Sequence, residues 1–321
     1  MVSGEFGFPE PFSLGLTLLC GQCFRWQGPD PEGWFEGVAG EAYWRLRARD
    51  ATLEWKCSHS RVMGRPADEW LFHYLGLDED LQTWTSRNAH HPVLEKPIQV
   101  LKGLRLVRQE PWECAVSYMF AQGLSVKVIR HALSRFCGKF GRPIEGFPHQ
   151  RAFPDPSALS GLTADEVRAY TNNYRARADR IIRFARVIEA GVISLEHLKT
   201  IPCDEARESL VTLDGIGPKI ADCIMLFSLD QTAAYPVDRW VLRAMKRFYP
   251  SLKLSKKGQE SPTRLQYNKI VVKARKIFGD HCGIASEYLF LFLRMMEDEN
   301  LKDQLAPYCS TLSPLDANLS G

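Results

Sequence analysis

No apolar run in the 321 residues is long enough to cross a bilayer. The longest, such as Tyr288 to Leu293, fall far short of the ~20 residues a membrane helix needs. A secretory start is also missing, since Met1 to Glu10 carries Glu5 and Glu10 and no basic start before an apolar stretch. Nine cysteines, an odd number scattered along the chain, make no disulfide framework and suit a reducing compartment. These absences predict an intracellular protein, of cytoplasm, nucleoid or nucleus, with no membrane association. There is no internal repeat, no low-complexity tract and no excess of one charge: 41 Lys and Arg stand against 38 Asp and Glu, leaving +3. So small a balance neither demands nor forbids a polyanionic partner, and local charge has to decide.

What is present suits a folded chain of two or three units, at 45% hydrophobic and 25% charged residues. The first ~95 residues hold six of the eight tryptophans. They contain alternating segments such as Ala42 to Arg47 and Ala51 to Lys56, broken by Gly, Pro and Asp, which reads as antiparallel strands. From about residue 96 helical spacing takes over. Trp112, Ala115, Val116, Met119 and Phe120 form one stripe, and Val126, Ile129, Ala132, Leu133 and Phe136 another, with Gly138 placed to cap it. A Pro- and Gly-rich stretch from Gly138 to Pro156 interrupts, and Thr163 to Glu166 offers a capping box. Three later stripes, beginning at Val241, Ile270 and Ala285, read as core packing. The predicted fold class is α+β: an antiparallel β domain over 1–95, a mostly helical domain over 96–300, and a flexible tail over 301–321.

The stretch Leu213 to Asp222 carries chemistry. Gly215 and Gly217 permit a tight turn, and Pro218 is preset for a first helical position, so the segment reads as a helix-hairpin-helix near 204–228. Amides at such a helix N-terminus can hold a phosphate oxygen without reading a base. An ordinary interhelical corner would also use these glycines. Local charge favours the DNA reading: Leu213 to Asp280 carries 13 Lys and Arg against six Asp and Glu, a net +7 inside a near-neutral chain. Lys219, next after Pro218, could simply touch a phosphate. Asp238, 19 residues later in Tyr235-Pro236-Val237-Asp238-Arg239-Trp240, could simply cap a helix. Together they suggest more. A lysine partly shielded from water becomes a nucleophile able to attack a deoxyribose C1′ and form a Schiff base, with strand cleavage by β-elimination, while the carboxylate steadies positive charge on the sugar.

At this point the residues resemble a known family, the 8-oxoguanine DNA glycosylase/AP lyases of the helix-hairpin-helix superfamily. The similarity runs from about Leu16 to about Arg294. It is carried by Gly21-Gln22-Cys23-Phe24-Arg25-Trp26, by Leu104 to Cys114, by Asn173-Tyr174-Arg175-Ala176-Arg177, by the hairpin with Lys219 and by Pro236-Val237-Asp238. The resemblance implies that Lys219 is the nucleophile and Asp238 assists it, on a damaged purine flipped out of double-stranded DNA. It further implies that the Gly21 carbonyl accepts the N7 hydrogen peculiar to 8-oxoguanine and that Cys223 and Phe290 sandwich the base. Tyr174 would wedge into the duplex and Arg175 bond the estranged cytosine, with Gly215, Gly217 and Trp240 also on the DNA. A monomer is expected, without cofactor. The chain departs from the family where a run of asparagines usually sits (Gly123-Leu124-Ser125), at the lesion-reading Gln (Ser286), and at the His two positions after the Asp (Trp240). Those departures keep a different lesion open as an alternative, and a noncatalytic DNA-binding protein using the same hairpin is a further one. Cys20 and Cys23 with Cys57 and His59 make at most half a zinc site, and after the hairpin helix only Cys282 and Cys309 remain, too few for an iron-sulfur cluster. No metal is expected.

Overall fold

The computed structural model describes residues 1–254 and 261–310. The tryptophan-rich region folds as predicted into one five-stranded antiparallel sheet. Its strands are β1 (Val2–Gly7), β2 (Trp26–Gln27), β3 (Phe35–Ala39), β4 (Ala42–Arg49) and β5 (Thr52–Cys57), in the order β1-β5-β4-β3-β2. The period-two pattern sets which face is covered: Leu53, Trp55 and Cys57 alternate inward on β5, and Leu46 pairs with Trp55 across the ladder. The rest is mainly helical, so the predicted α+β class holds.

Gly138 does not cap its helix. The helix Val126–Phe140 runs through it and ends at Gly141, because the apolar stripe continues to Cys137 and Gly138 faces open space. The Pro- and Gly-rich stretch forms a small hairpin, Pro143–Ile144 with Phe147–Arg151, whose Ile144 packs with Val38 and Tyr43 on the sheet. At Thr163 the expected capping box forms, the Glu166 carboxylate accepting from the Thr163 amide at 2.8 Å. The predicted fraying past residue 300 is not seen as far as 310. Helix Glu299–Leu305 buries Leu301 and Leu305, and the Tyr308 ring lies against Gly15 and 5.9 Å from Phe35. Residues 311–321 of the expected tail lie outside the described residues.

Apolar packing crosses the sequence boundary at 95/96. One core joins the sheet to the late helices Arg239–Phe248, Arg264–Phe278 and Cys282–Glu297. The other comprises Phe24 and residues from Trp112 to Ala234, including the hairpin helices Cys203–Val211 and Pro218–Ser228. A buried polar bridge spans the seam. The Tyr267 hydroxyl donates to Asp222 Oδ2 at 2.6 Å and accepts from the Val237 amide at 3.3 Å, while Arg207 holds the other carboxylate oxygen at 2.6 Å. Asp222 is fully buried and Tyr267 nearly so.

Removing a partner from a buried hydrogen-bonded carboxylate leaves its desolvation uncompensated. Tyr267→Phe should therefore lower unfolding stability by about 1–3 kcal/mol, measured by urea denaturation. A loss within error of zero would show that the phenol does not hold the seam.

Candidate active site

The hairpin turn is shaped by its glycines. Gly215 has φ +89°, and a Cβ there would also meet the Arg180 side chain at 2.7 Å, so only glycine fits. Gly217 caps Pro218–Ser228 in extended conformation, with Pro218 at the first position as the sequence predicts. Lys219 stands on that first turn and is exposed. The partial shielding expected from sequence is not seen among the described residues.

Asp238 sits at the N-terminus of the neighbouring helix Arg239–Phe248. It is half-buried, and its Oδ1 accepts from the Trp240 and Val241 amides at 2.9 Å each. It is therefore the N-cap that the sequence suggested. Burial raises its carboxyl above the usual aspartate range, opposed by the Lys219 charge and the two capping amides. The helix carrying Lys219 and the turn carrying Asp238 thus pack in different cores, and the Lys219 charge acts on the Asp238 carboxyl. The Tyr267 bridge ties Asp222, three residues after Lys219, to Val237, the residue before Asp238.

Other predicted residues gather at the same seam. Cys223 lies one turn after Lys219, buried, its thiol pushed up to about 12 by burial against the pull of the Lys219 charge. Ser286 and Phe290 lie on helix Cys282–Glu297. Phe290 is partly exposed beneath the Arg294 guanidinium at 5.9 Å, and the Ser286 hydroxyl donates to the Pro236 carbonyl at 3.2 Å. The Gly21 turn is fixed by Gln22, whose amide bonds the Thr17 and Arg105 carbonyls and the Val107 amide at 2.8 to 2.9 Å. The carbonyls flanking Gly21 are both occupied: Cys20 O by Arg294 at 3.3 Å, Gln22 O by Gln109 and Tyr118 at 2.9 and 3.0 Å. Among the described residues the Gly21 carbonyl itself accepts no hydrogen bond. Cys20 and Cys23 direct their thiols to the Thr17 and Leu18 carbonyls, and among the described residues no three of His, Cys, Asp or Glu are grouped to hold a metal.

Tyr174 and Arg175 start helix Arg175–Glu189, both exposed, with Arg175 3.2 Å from Asp165. Asn172 and Asn173 before them adopt left-handed φ of +57° and +55°. This loop is wired to the hairpin by Arg177, named above only as part of the resemblance, and by Gln122, which the sequence did not flag. Buried Arg177 donates to the Thr171 and Gln122 carbonyls, and the Gln122 amide donates to the Gly215 carbonyl at 2.6 Å. Trp240, expected on the DNA, is mostly buried; Arg239 and Arg243 lie over its ring at 4.8 and 5.1 Å, so cations face outward there.

Sequence reasoning also missed Glu287. It is 4% exposed, and its Oε1 has no hydrogen-bond partner among the described residues. Burial pushes its carboxyl up to about 7; the Cys20 thiol and Arg294 oppose that rise and the Asp238 charge adds to it. A signal was there: Ser286 and Glu287 are the only polar residues from Ile284 to Leu293.

Because the folded carboxyl titrates above the ordinary ~4.3, its contribution favours the fold fully below that value and is lost as pH rises through about 7. Glu287→Gln should accordingly be more stable than the wild type at pH 8, by roughly 1–3 kcal/mol, and should converge with it near pH 4. Urea unfolding at the two pH values checks this. Equal stabilities at pH 8 would mean that the carboxylate is well solvated in the folded protein.

Comparisons with known proteins agree with this geometry. Residues 7–115 match the N-terminal domain of 8-oxoguanine DNA glycosylase, and residues 116–266 match the HhH-GPD superfamily of base excision DNA repair proteins. The chain is 29% identical over 290 residues to N-glycosylase/DNA lyase OGG1 of Arabidopsis thaliana, covering 87% of this chain and 76% of that one. Among solved structures it resembles MBOgg1 in complex with a low-affinity DNA ligand, at TM-score 0.80 and 27% identity over 93% of this chain and 97% of that one. It also resembles the Clostridium acetobutylicum 8-oxoguanine glycosylase/lyase in complex with DNA containing cytosine opposite 8-oxoguanine, at TM-score 0.79 and 26% identity over 93% and 99%. Among the described residues no helix is long and apolar enough to cross a membrane. With the two family models matching adjoining stretches over most of the chain, this chain belongs to the 8-oxoguanine DNA glycosylase family of the helix-hairpin-helix superfamily and is a DNA glycosylase/lyase of base excision repair.

Proposed function

We propose that the protein excises 8-oxoguanine from duplex DNA and then nicks the strand through a lysine Schiff base. The observation that carries this reading is the half-buried Asp238, which caps its helix through two amides and whose raised carboxyl is drawn back down by the charge of Lys219 on the first turn after the hairpin. The neutral Lys219 amine attacks C1′ of the flipped nucleoside. The C1′–N9 bond breaks, the purine leaves with the bonding electrons and takes up a proton, and the Asp238 carboxylate stabilises the positive charge developing on the sugar. Opening of the deoxyribose yields an iminium at C1′. Loss of a C2′ proton then expels the 3′ phosphate, and water hydrolyses the imine to free Lys219. Lys219 is exposed in the free protein, so it is open to a bound duplex.

The free Gly21 carbonyl supports 8-oxoguanine as the base, since its N7 carries a hydrogen where guanine has a lone pair. In this reading Cys223 and Phe290 flank the base, and Tyr174, Arg175 and the Gly215–Gly217 turn contact the DNA. A different damaged base is the second reading. Its motive is that Ser286, standing where the family uses a lesion-reading glutamine, has its hydroxyl turned to Pro236.

Borohydride reduction during incubation with an 8-oxoguanine:cytosine duplex should trap a covalent complex in the wild type and none in Lys219→Gln. Undiminished trapping in the variant would move the nucleophile elsewhere. Asp238→Asn keeps a good helix cap, so it tests the charge alone, and excision should fall by about a hundredfold. A duplex panel carrying other oxidised or alkylated bases decides between the two lesion readings.

A further inference from the structure

We propose that Glu287 reads the Watson–Crick edge of the flipped base, its carboxylate accepting the N1–H and the 2-amino group of an oxidised guanine. This rests on the reading above, in which the base enters the seam beside Lys219.

Glu287 is buried, with one carboxylate oxygen unpartnered among the described residues, on the helix that carries Phe290. Its carboxyl interacts with Cys20, next to the Gly21 turn, and with Asp238 on the capped helix, and its charge acts on Cys223 in the hairpin helix. Phe290 follows it by three residues, one turn along the same helix, and Arg294 is the cation that acts on it. Two acceptors around this space lack partners among the described residues: the Gly21 carbonyl and Glu287 Oε1. The Ser286 hydroxyl is already bonded to Pro236.

The chemistry of the edge matches these acceptors. Guanine and 8-oxoguanine present two adjacent donors, N1–H and the 2-amino group, at the spacing of the two oxygens of a carboxylate. Adenine presents an acceptor at N1, which a carboxylate repels. The Gly21 carbonyl and Glu287 would together distinguish an oxidised guanine from guanine by N7–H and from alkylated adenines by the opposite edge. A purely structural carboxyl would have both oxygens bonded, and an unbonded buried carboxylate destabilises the fold. Binding the base gives the second oxygen its donor.

The test compares single-turnover excision of 8-oxoguanine with that of 8-oxohypoxanthine, which lacks only the 2-amino group. The wild type should prefer 8-oxoguanine by about ten- to a hundredfold. Glu287→Ala should bring the ratio close to one. Glu287→Gln, nearly the same shape, replaces one acceptor by a donor facing the 2-amino group and should also lower the ratio. It decides the matter if the alanine variant does not fold. A wild type indifferent to the 2-amino group, or variants that keep the wild-type ratio, would overturn the proposal. Trapping of the wild type on an abasic duplex, where there is no base to read, separates the two layers. Its absence sinks the Lys219 mechanism, whereas trapping with an unmoved ratio sinks only the role of Glu287.

Discussion

One phenol holds the active site together. Tyr267 gives its proton to Asp222 and receives one from the Val237 amide, so a single buried side chain ties the hairpin helix to the Pro-Val-Asp turn. The helix that bears Lys219 packs in one hydrophobic core and the turn that bears Asp238 in the other. Two cores packed only by apolar contact could slide by an ångström with little loss, and a slip of that size is costly to chemistry at one sugar carbon. Directional hydrogen bonds between buried partners resist it. Phe290, by contrast, is partly exposed.

The same economy explains how a nearly neutral protein offers DNA a basic face. Four carboxylates from Asp214 to Asp238 have internal partners. Asp214 pairs with Arg180 and Arg183, Asp222 with Arg207, and Asp230 with Arg108, while Asp238 caps a helix. Arg239, Arg247, Lys253, Arg264 and Lys269 remain exposed. Net charge counts every acid alike, but the field outside the protein is set by the acids that no cation answers.

Much of this was legible in the sequence, for physical reasons that differ by element. The β4 and β5 alternation and the helical stripes are periodic, so each position repeats the message of its neighbours, and the structure agrees with them. The hairpin was readable because Gly215 needs a positive φ and Pro218 suits a first helical turn. Local signals mislead where tertiary contact decides. Gly138 looked like a stop but its helix had apolar surface still to bury, and the chain after residue 300 looked polar yet supplies Leu301, Leu305 and Tyr308 to the sheet's core. The division of the core was invisible because late helices return to pack against the first strands. Gln122 escaped notice, and Arg177 was read only as part of a motif, for the same reason: their partners are carbonyl oxygens, which leave no mark on a sequence.

Two carboxyls stand near the reacting centre, and their surroundings separate them. Asp238 has two amides aimed at one oxygen and a lysine nearby, so despite burial it has reasons to stay ionised, as a group that must answer positive charge on a sugar should. Glu287 has no such donors, and burial raises it to about 7. A charge held ready by the protein suits a step whose partner is transient. A charge left for the ligand to stabilise suits a recognition step, because the carboxylate becomes comfortable only when a matching pair of donors arrives. Environment, and not residue type, makes one acid part of the machinery and the other a sensor of what enters it.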